Sequence, residues 1–198
     1  MSYFIVKRIF DFNLALFGLI LFSPLIAVIV VLILLEDGPP VLYIKKSLGK
    51  NGRILNALKF RSMEENSLAI TKVGKLLRQT AMDELPQLIN IAKGEMSFVG
   101  PRNYSINKYG IAEDALGKMI NPQNLNSDIV NFSKRLKVMP GLTGLAQICA
   151  PKHASDEEVL RLDLQYIKNR NFIFDLRLIF MSIWITFRKK WEDTSRKI

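Results

Sequence analysis

The chain reads as an α+β protein, mostly helical, in two parts. An amino-terminal re-entrant membrane helix-break-helix occupies residues 1–37, and a small interfacial domain with amphipathic helices and a short sheet occupies 38–198. Three observations predict this. A 22-residue apolar run, Leu14 to Leu35, is broken near its midpoint by Ser23-Pro24. Two short strand-like runs flank the turn Gly49-Lys50-Asn51-Gly52. Segments of helical spacing with start and stop signals account for much of the remainder.

The apolar run has about the 20 residues a helix needs to cross a bilayer core. A helix apolar all round over six turns is rare outside membranes, so the run points to insertion. It is too long for a cleavable signal, and no small-residue cleavage site precedes Glu36. Pro24 removes a backbone hydrogen bond and crowds the preceding turn, while Ser23 can bond back to the freed carbonyls. Lys7 and Arg8 precede the run, and Lys45, Lys46, Lys50 and Arg53 follow it. The positive-inside rule therefore draws both ends to one face, which favours a re-entrant hairpin over a kinked span. Tyr3 to Phe12 mixes aromatics and cations as an interfacial prelude.

Gly38-Pro39-Pro40 ends the apolar helix, Val41 to Ile44 reads as a strand, and Arg53 to Phe60 reads as a second. In Lys59-Phe60-Arg61-Ser62-Met63, two cations flank an apolar anchor in a way that suits a diphosphate clamp. The alternative is a solvated basic face beside anionic head groups. Thr71 to Gln79 has helical spacing and ends next to Asp83-Glu84-Leu85-Pro86. Pro86 reads as a first-turn residue, which puts both acids at or just before a helix N-terminus, where ionised carboxylates and phosphate are favoured. Adjacent acids there suit phosphate and metal chemistry, one attacking and one holding a divalent cation. The plain alternative is a helix start with first-turn acids. Gly94 stops that helix, and the Gly100-Pro101-Arg102 turn lets backbone and guanidinium approach an anion together.

Composition narrows the chemistry. The chain has 28 Lys and Arg against 18 Asp and Glu, a net charge of +10, which implies an anionic partner. Its 49% hydrophobic content favours a membrane among such partners. Cys149 and His153 are the single cysteine and histidine. They exclude an intramolecular disulfide and a multi-Cys/His zinc site, and they leave a Ser-His triad only if His153 supplies the base. Any bound metal should be a hard cation on oxygen ligands, Mg²⁺ first. Cys149 reads as a packed small hydrophobe and His153 as a loop residue. Aromatics do not interleave with the basic residues, so no nucleic-acid partner is expected.

In the carboxy-terminal part, Asn121 to Asp128 reads as a loop. Phe172 to Phe187 is apolar except at four positions, three of which (175, 182 and 186) share a helical face. That pattern fits a half-immersed or core-packed helix, with Trp184, Trp191 and Arg188-Lys189-Lys190 as interface anchors.

Several ordered motifs carry a family resemblance. Asp83-Glu84-Leu85-Pro86-Gln87 followed by Gly94 to Arg102 resembles the bacterial sugar transferase family of monotopic phosphoglycosyl transferases. Lys7 to Asp11, Ser23-Pro24, Lys59 to Met63, Pro140 to Gln147 and Leu162 to Tyr166 agree in order, so the resemblance covers nearly the whole chain. It implies transfer of a phospho-sugar from a UDP-sugar to a polyprenyl (undecaprenyl) phosphate, releasing UMP through a covalent aspartyl intermediate with Mg²⁺. Such a step begins membrane assembly of exopolysaccharide, capsule, O-antigen or glycoprotein glycans, at the cytoplasmic face of the bacterial inner membrane. It implies Asp83 as nucleophile, Glu84 as metal ligand, and Lys59, Arg61, Arg78 and Arg102 as phosphate contacts. Gln147 and Asp163 match substrate-site positions. The lack of further amino-terminal spans suggests the minimal form of the family; a homo-oligomer stays open. Departures occur at Asn103, Met139 and Cys149-Ala150-Pro151, where the family favours Pro, a cation and Asn-Gly-Arg. These leave the sugar open. The rival from another class is a non-enzymatic membrane-tethered protein that binds anionic ligands or acts as a scaffold.

Overall fold

The structure, a computed structural model, describes residues 2–64, 67, 69–104, 127–151 and 153–187. The chain is α+β and mostly helical. Its elements are α1 (Tyr3–Leu21), α2 (Ser23–Asp37), β1 (Leu42–Leu48), β2 (Ile54–Phe60), α3 (Lys72–Gln79), α4 (Gln87–Lys93), β3 (Ser97–Val99), α5 (Ser127–Leu136), β4 (Gly141–Thr143), α6 (Leu145–Cys149), α7 (Asp156–Asn169) and α8 (Phe172–Phe187). The expected short sheet is two separate strand pairs. β1 and β2 form an antiparallel hairpin running from Leu42↔Phe60 to Leu48↔Ile54. β3 and β4 pair in parallel, Ser97↔Gly141 and Val99↔Thr143, which joins segments far apart in sequence.

No single described helix is long and apolar enough to cross a membrane, but α1 and α2 together pass that test and are bent by 60°. Pro24 sits at the second position of α2, where its missing N–H would have no intrahelical partner anyway. The Ser23 hydroxyl donates to Ile20 O at 2.8 Å, so the bend leaves that carbonyl satisfied. Along α1 the inward face carries Asp11, Ala15 and Gly18, while Ile5, Ile9, Phe12, Leu16 and Ile20 face outward and exposed. That reverses the pattern of a water-soluble helix. α8 repeats the inversion. Asp175 and Ser182 turn inward, the latter bonded to the Thr143 hydroxyl, whereas Ile173, Phe180 and Trp184 are exposed. Exposed apolar faces of this kind mark a membrane or protein-interaction surface.

The helices that carry this apolar surface are also locked into the core. Ala15 packs with Leu55, Ala57, Leu88 and Ile91, and Gly18 lies against Leu88. The Arg8 guanidinium donates to Ile91 O at 2.6 Å and Ala92 O at 2.8 Å, closing the carboxyl end of α4. Gly94, at φ +83°, follows, and a Cβ there would sit 3.0 Å from that guanidinium. Asp11 is buried and accepts from Ser97 Oγ (2.7 Å) and Phe98 N (3.2 Å), tying α1 to β3. Asp175 gathers Lys7 Nζ at 2.7 Å, with the Tyr3 and Tyr166 hydroxyls each at 2.8 Å.

Two readings change. Asn121 to Asp128 does not end as a loop, because α5 begins at Ser127; the rest of that stretch lies outside the described residues. α5 packs against α7, a partner that a local reading does not see. Trp191 and the basic run 188–190 also lie outside the described residues.

Candidate active site

The site grows from how α3 and α4 are held against the hairpin. Thr71 caps α3 by accepting from Gly74 N at 2.8 Å. Gly74 is required there, since a Cβ would meet Ser62 O at 2.1 Å. Glu36, at the end of α2, accepts from Lys72 N and Val73 N, so the bent helix pair also caps α3. After α3 the chain reverses through Ala81, which is left-handed at φ 54°, ψ 19°. Non-glycine residues rarely adopt that conformation, and it costs on the order of 1 kcal/mol. Met82–Glu84 then makes a 3-10 turn, so Asp83 and Glu84 stand one turn before α4 rather than in its first turn.

α4 is fixed to the free edge of β2 by one side chain. Asn90 accepts from Leu58 N at 3.0 Å and donates to Asn56 O at 2.9 Å, which pairs an edge that would otherwise be open. This brings the acids onto Lys59. Its Nζ lies 2.5 Å from Glu84 Oε1 and 3.3 Å from Asp83 Oδ2. The Asp83 side chain is 13% exposed and Glu84 33%, so both are shielded yet reachable.

Burial pushes the Asp83 carboxyl above the ordinary range, Lys59 pulls it back, and the neighbouring Glu84 charge pushes it up again. Burial lowers the Lys59 ammonium, but Glu84 and then Asp83 outweigh it and raise it above the ordinary range. Two carboxylates of unequal exposure on one cation are a workable pair of nucleophile and metal ligand. Among the described residues no three His, Cys, Asp or Glu side chains come together. The donor set still fits Mg²⁺, which ordinarily takes one or two carboxylates and fills its shell with substrate phosphates and water.

The other sequence-derived residues divide. Arg78 reaches the cluster: its Nε donates to Ser62 Oγ at 2.8 Å, and its charge lowers Asp83's carboxyl. Arg61 goes elsewhere, its guanidinium bonding Asp37 O (2.9 Å), Gly38 O (2.6 Å) and the Asp37 carboxylate (2.9 Å) at the end of α2. Arg102 has an exposed side chain, and its backbone N–H donates to Asp163 Oδ1 at 3.1 Å. Asp163 itself is 1% exposed and pairs with Arg135 Nε at 2.7 Å, so it holds the Arg102 turn from beneath. Gln147 Nε2 reaches Gly141 O at 3.4 Å, and its buried Oε1 has no hydrogen-bond partner. Ser23 and Pro24 lie at the bend between α1 and α2.

Two residues that sequence reasoning passed over belong here. Lys45 pairs with Ala57 beside the Tyr43↔Lys59 pair, which sets it diagonal to Lys59 on one face of the hairpin. Burial lowers its ammonium first, then Lys59, with Arg102 adding to the same effect, so Lys45 bridges the field between those two cations. Strand alternation was the signal that would have found it. Arg135, stacked 3.7 Å over the Tyr104 ring, had no local signal, because its partner Asp163 is 28 residues away.

Comparison with known proteins agrees with these motifs. The bacterial sugar transferase family profile matches residues 2–189. The chain is 32% identical over 206 residues to a galactosyl transferase, CpsE, of Streptococcus agalactiae serotype III (strain NEM316), covering 92% of this chain and 42% of that protein. It is 32% identical over 203 residues to the UDP-glucose:undecaprenyl-phosphate glucose-1-phosphate transferase of Escherichia coli (strain K12), covering 94% and 41%. It is 35% identical over 204 residues to the exopolysaccharide production protein ExoY of Rhizobium meliloti (strain 1021), covering 89% and 83%. The chain thus spans about two fifths of the first two relatives and most of the third. With the profile running almost end to end and relatives above 30% identity, the chain belongs to the bacterial sugar transferase family.

Proposed function

We propose that this protein transfers a phospho-sugar from a UDP-sugar to a polyprenyl phosphate at the cytoplasmic face of a bacterial inner membrane. The observation that carries the reading is the Asp83-Glu84 pair held on one lysine, in a chain of this family. An Asp83 Oδ attacks the phosphorus bonded to the sugar, forming an acyl phosphate as the bond to UMP breaks and UMP leaves. The polyprenyl phosphate oxygen then attacks the same phosphorus, freeing Asp83 and yielding the polyprenyl diphospho-sugar. Glu84 would hold Mg²⁺, which when bound supplies charge neutralisation on the diphosphate. Lys59, Lys45 and Arg102 form the line of cations along which a diphosphate can lie, with Arg78 beside Asp83. Arg61 serves the site by fixing the end of α2.

A re-entrant α1–α2 pair, with the inverted faces of α1 and α8 in lipid, would bring the site to the level at which a polyprenyl phosphate presents its head group. Incubating the protein with a panel of UDP-sugars and undecaprenyl phosphate, and measuring UMP, separates this reading from a binding or scaffold protein. UMP release with at least one sugar is expected. None across the panel, from protein that is folded and membrane-bound, would favour the scaffold.

Removing Lys59 tests the electrostatics. In Lys59→Ala, only Arg78 is left to oppose burial and Glu84 at Asp83, so its carboxyl rises further. Because the nucleophile works ionised, the acid limb of kcat/KM moves to higher pH, with a fall of roughly 100-fold at the optimum. An acid limb left in place would mean that Asp83 is not the group titrating.

The bend is tested through topology. Pro24→Ala restores a helical N–H at the break and is expected to favour a true span. In a Cys149→Ser background, cysteines at Ser2 and Lys50 should label from one face in the parent and from opposite faces in Pro24→Ala. Labelling from one face in both would show that the proline is not the cause of the bend.

A further inference from the structure

Away from the Lys59–Asp83–Glu84 cluster, an open cavity of about 380 Å³ lies between α5 and α7. Lys134, Lys137, Lys168 and Arg170 line it, and among the described residues its lining contains no carboxylate. The wall behind these cations is aliphatic, formed by Val138, Leu164 and Ile167. The helical spacing explains the arrangement. Leu164, Ile167 and Lys168 share one face of α7. Lys134, Lys137 and Val138 share a face where the last turn of α5 continues, with Lys137 N and Val138 N bonded back to Lys134 O and Arg135 O.

The cavity sits at the edge of the exposed apolar surface. The Arg170 guanidinium lies 4.9 Å from the centre of the Phe4 ring, and Phe4 begins the outward face of α1. Three residues beyond Arg170, Ile173 is 79% exposed at the start of α8. A cationic rim, an aliphatic wall and a continuous apolar apron match an amphiphile with an anionic head. Lys137, Lys168 and Arg170 carry like charges around one cavity, and a phosphate among them lowers their mutual repulsion.

We propose that this cavity binds the head-group phosphate of an anionic phospholipid of the bilayer, with the acyl chains lying toward Phe4 and Ile173. The proposal rests on the membrane-embedded reading above, and it concerns a resident lipid rather than the polyprenyl phosphate consumed at Asp83. The cavity also backs onto the site. Lys134 adjoins Arg135, and Leu164 adjoins Asp163, so a lipid bridging α5 and α7 braces the ion pair beneath Arg102.

The test uses the full chain in mild non-ionic detergent, incubated with equal amounts of phosphatidylglycerol and phosphatidylcholine of matched acyl chains. Native mass spectrometry counts the lipid retained. The parent is expected to retain phosphatidylglycerol selectively. The double variant Lys137→Ala/Lys168→Ala should lose that selectivity by about fivefold for each lysine removed. Lys50→Ala/Arg53→Ala, which removes equal charge from the hairpin turn, should keep it. No selectivity in the parent, selectivity retained in the cavity variant, or equal loss in both variants would each overturn the proposal. So would one-for-one displacement of phosphatidylglycerol by undecaprenyl phosphate, which would make the cavity the acceptor site. An alkaline carbonate wash of membranes tests the embedding separately. Chain released by the wash refutes embedding, whereas retained chain without lipid selectivity refutes only the cavity's role.

Discussion

Asp83→Asn is expected to lower UMP release by roughly 10⁴-fold and to remove any covalent phospho-sugar adduct trapped in the absence of acceptor. The substitution keeps side-chain volume and one carbonyl oxygen, and Lys59 retains its 2.5 Å contact with Glu84. Folding should therefore be little changed, with a thermal midpoint close to the parent's. Loss of the adduct is the decisive readout, since a residue that only positioned substrate would slow adduct formation without changing its site. Mass spectrometry of the quenched parent should find the adduct on the peptide containing Asp83. Near-normal turnover in Asp83→Asn would move the nucleophile elsewhere. Glu84→Gln offers the contrast: it leaves the nucleophile in place and should raise the Mg²⁺ requirement.

Asp163→Ala should have the largest effect on stability. The Asp163 carboxylate and the Arg135 guanidinium are 1% and 3% exposed, 2.7 Å apart, and far from bulk water. Removing one partner leaves a buried, uncompensated charge, which costs about 3–5 kcal/mol. It also takes the acceptor from Arg102 N, loosening the Gly100-Pro101-Arg102 turn. The expected result is a thermal midpoint lowered by many degrees, together with a raised KM for UDP-sugar in whatever protein stays folded. Asp163→Asn, which can still accept from Arg102 N, should recover part of the KM and less of the stability. A variant as stable as the parent, with unaltered KM, would show that the ion pair neither holds the fold nor positions Arg102.

Local chemistry carried much of this architecture. The break at Ser23-Pro24, the hairpin around Asn51-Gly52, the helical run from Thr71 to Gln79 and the stop at Gly94 all depend on residues close together in the chain. The sequence reading extends to these because each has a nearest-neighbour cause. The Asp83-Glu84 pair was legible as motif and spacing, and so was Lys59. What lay beyond reach required tertiary partners. Arg61 looked equivalent to Lys59 two residues away, yet it turns to the end of α2, because the acceptors there come from a different segment. Asp163 looked like a substrate contact until Arg135 was seen beneath it. The left-handed Ala81, which carries no glycine signal, and the 3-10 turn Met82–Glu84 that follows it were likewise not legible. The parallel β3–β4 pair carries no local signature either, since its strands are three residues each and lie some forty apart.

The Asp175 hub has a consequence for synthesis. Lys7 and Asp175 are separated by 168 residues, so the first must wait for the second while the ribosome makes nearly the whole domain. At about 5–20 residues per second this wait is roughly 10–30 s. During that interval Tyr3 and Lys7 have left the ribosome without the carboxylate that receives them, and the apolar helices are already free to enter lipid. Closure of the hub is therefore a late event, made long after the amino-terminal helices have been synthesised. A nascent chain stalled before Asp175 should be inserted but protease-sensitive, and one stalled well beyond it should be resistant. If the amino-terminal helices lie in lipid as proposed above, the bilayer would hold one half of a buried ion pair until the other arrives.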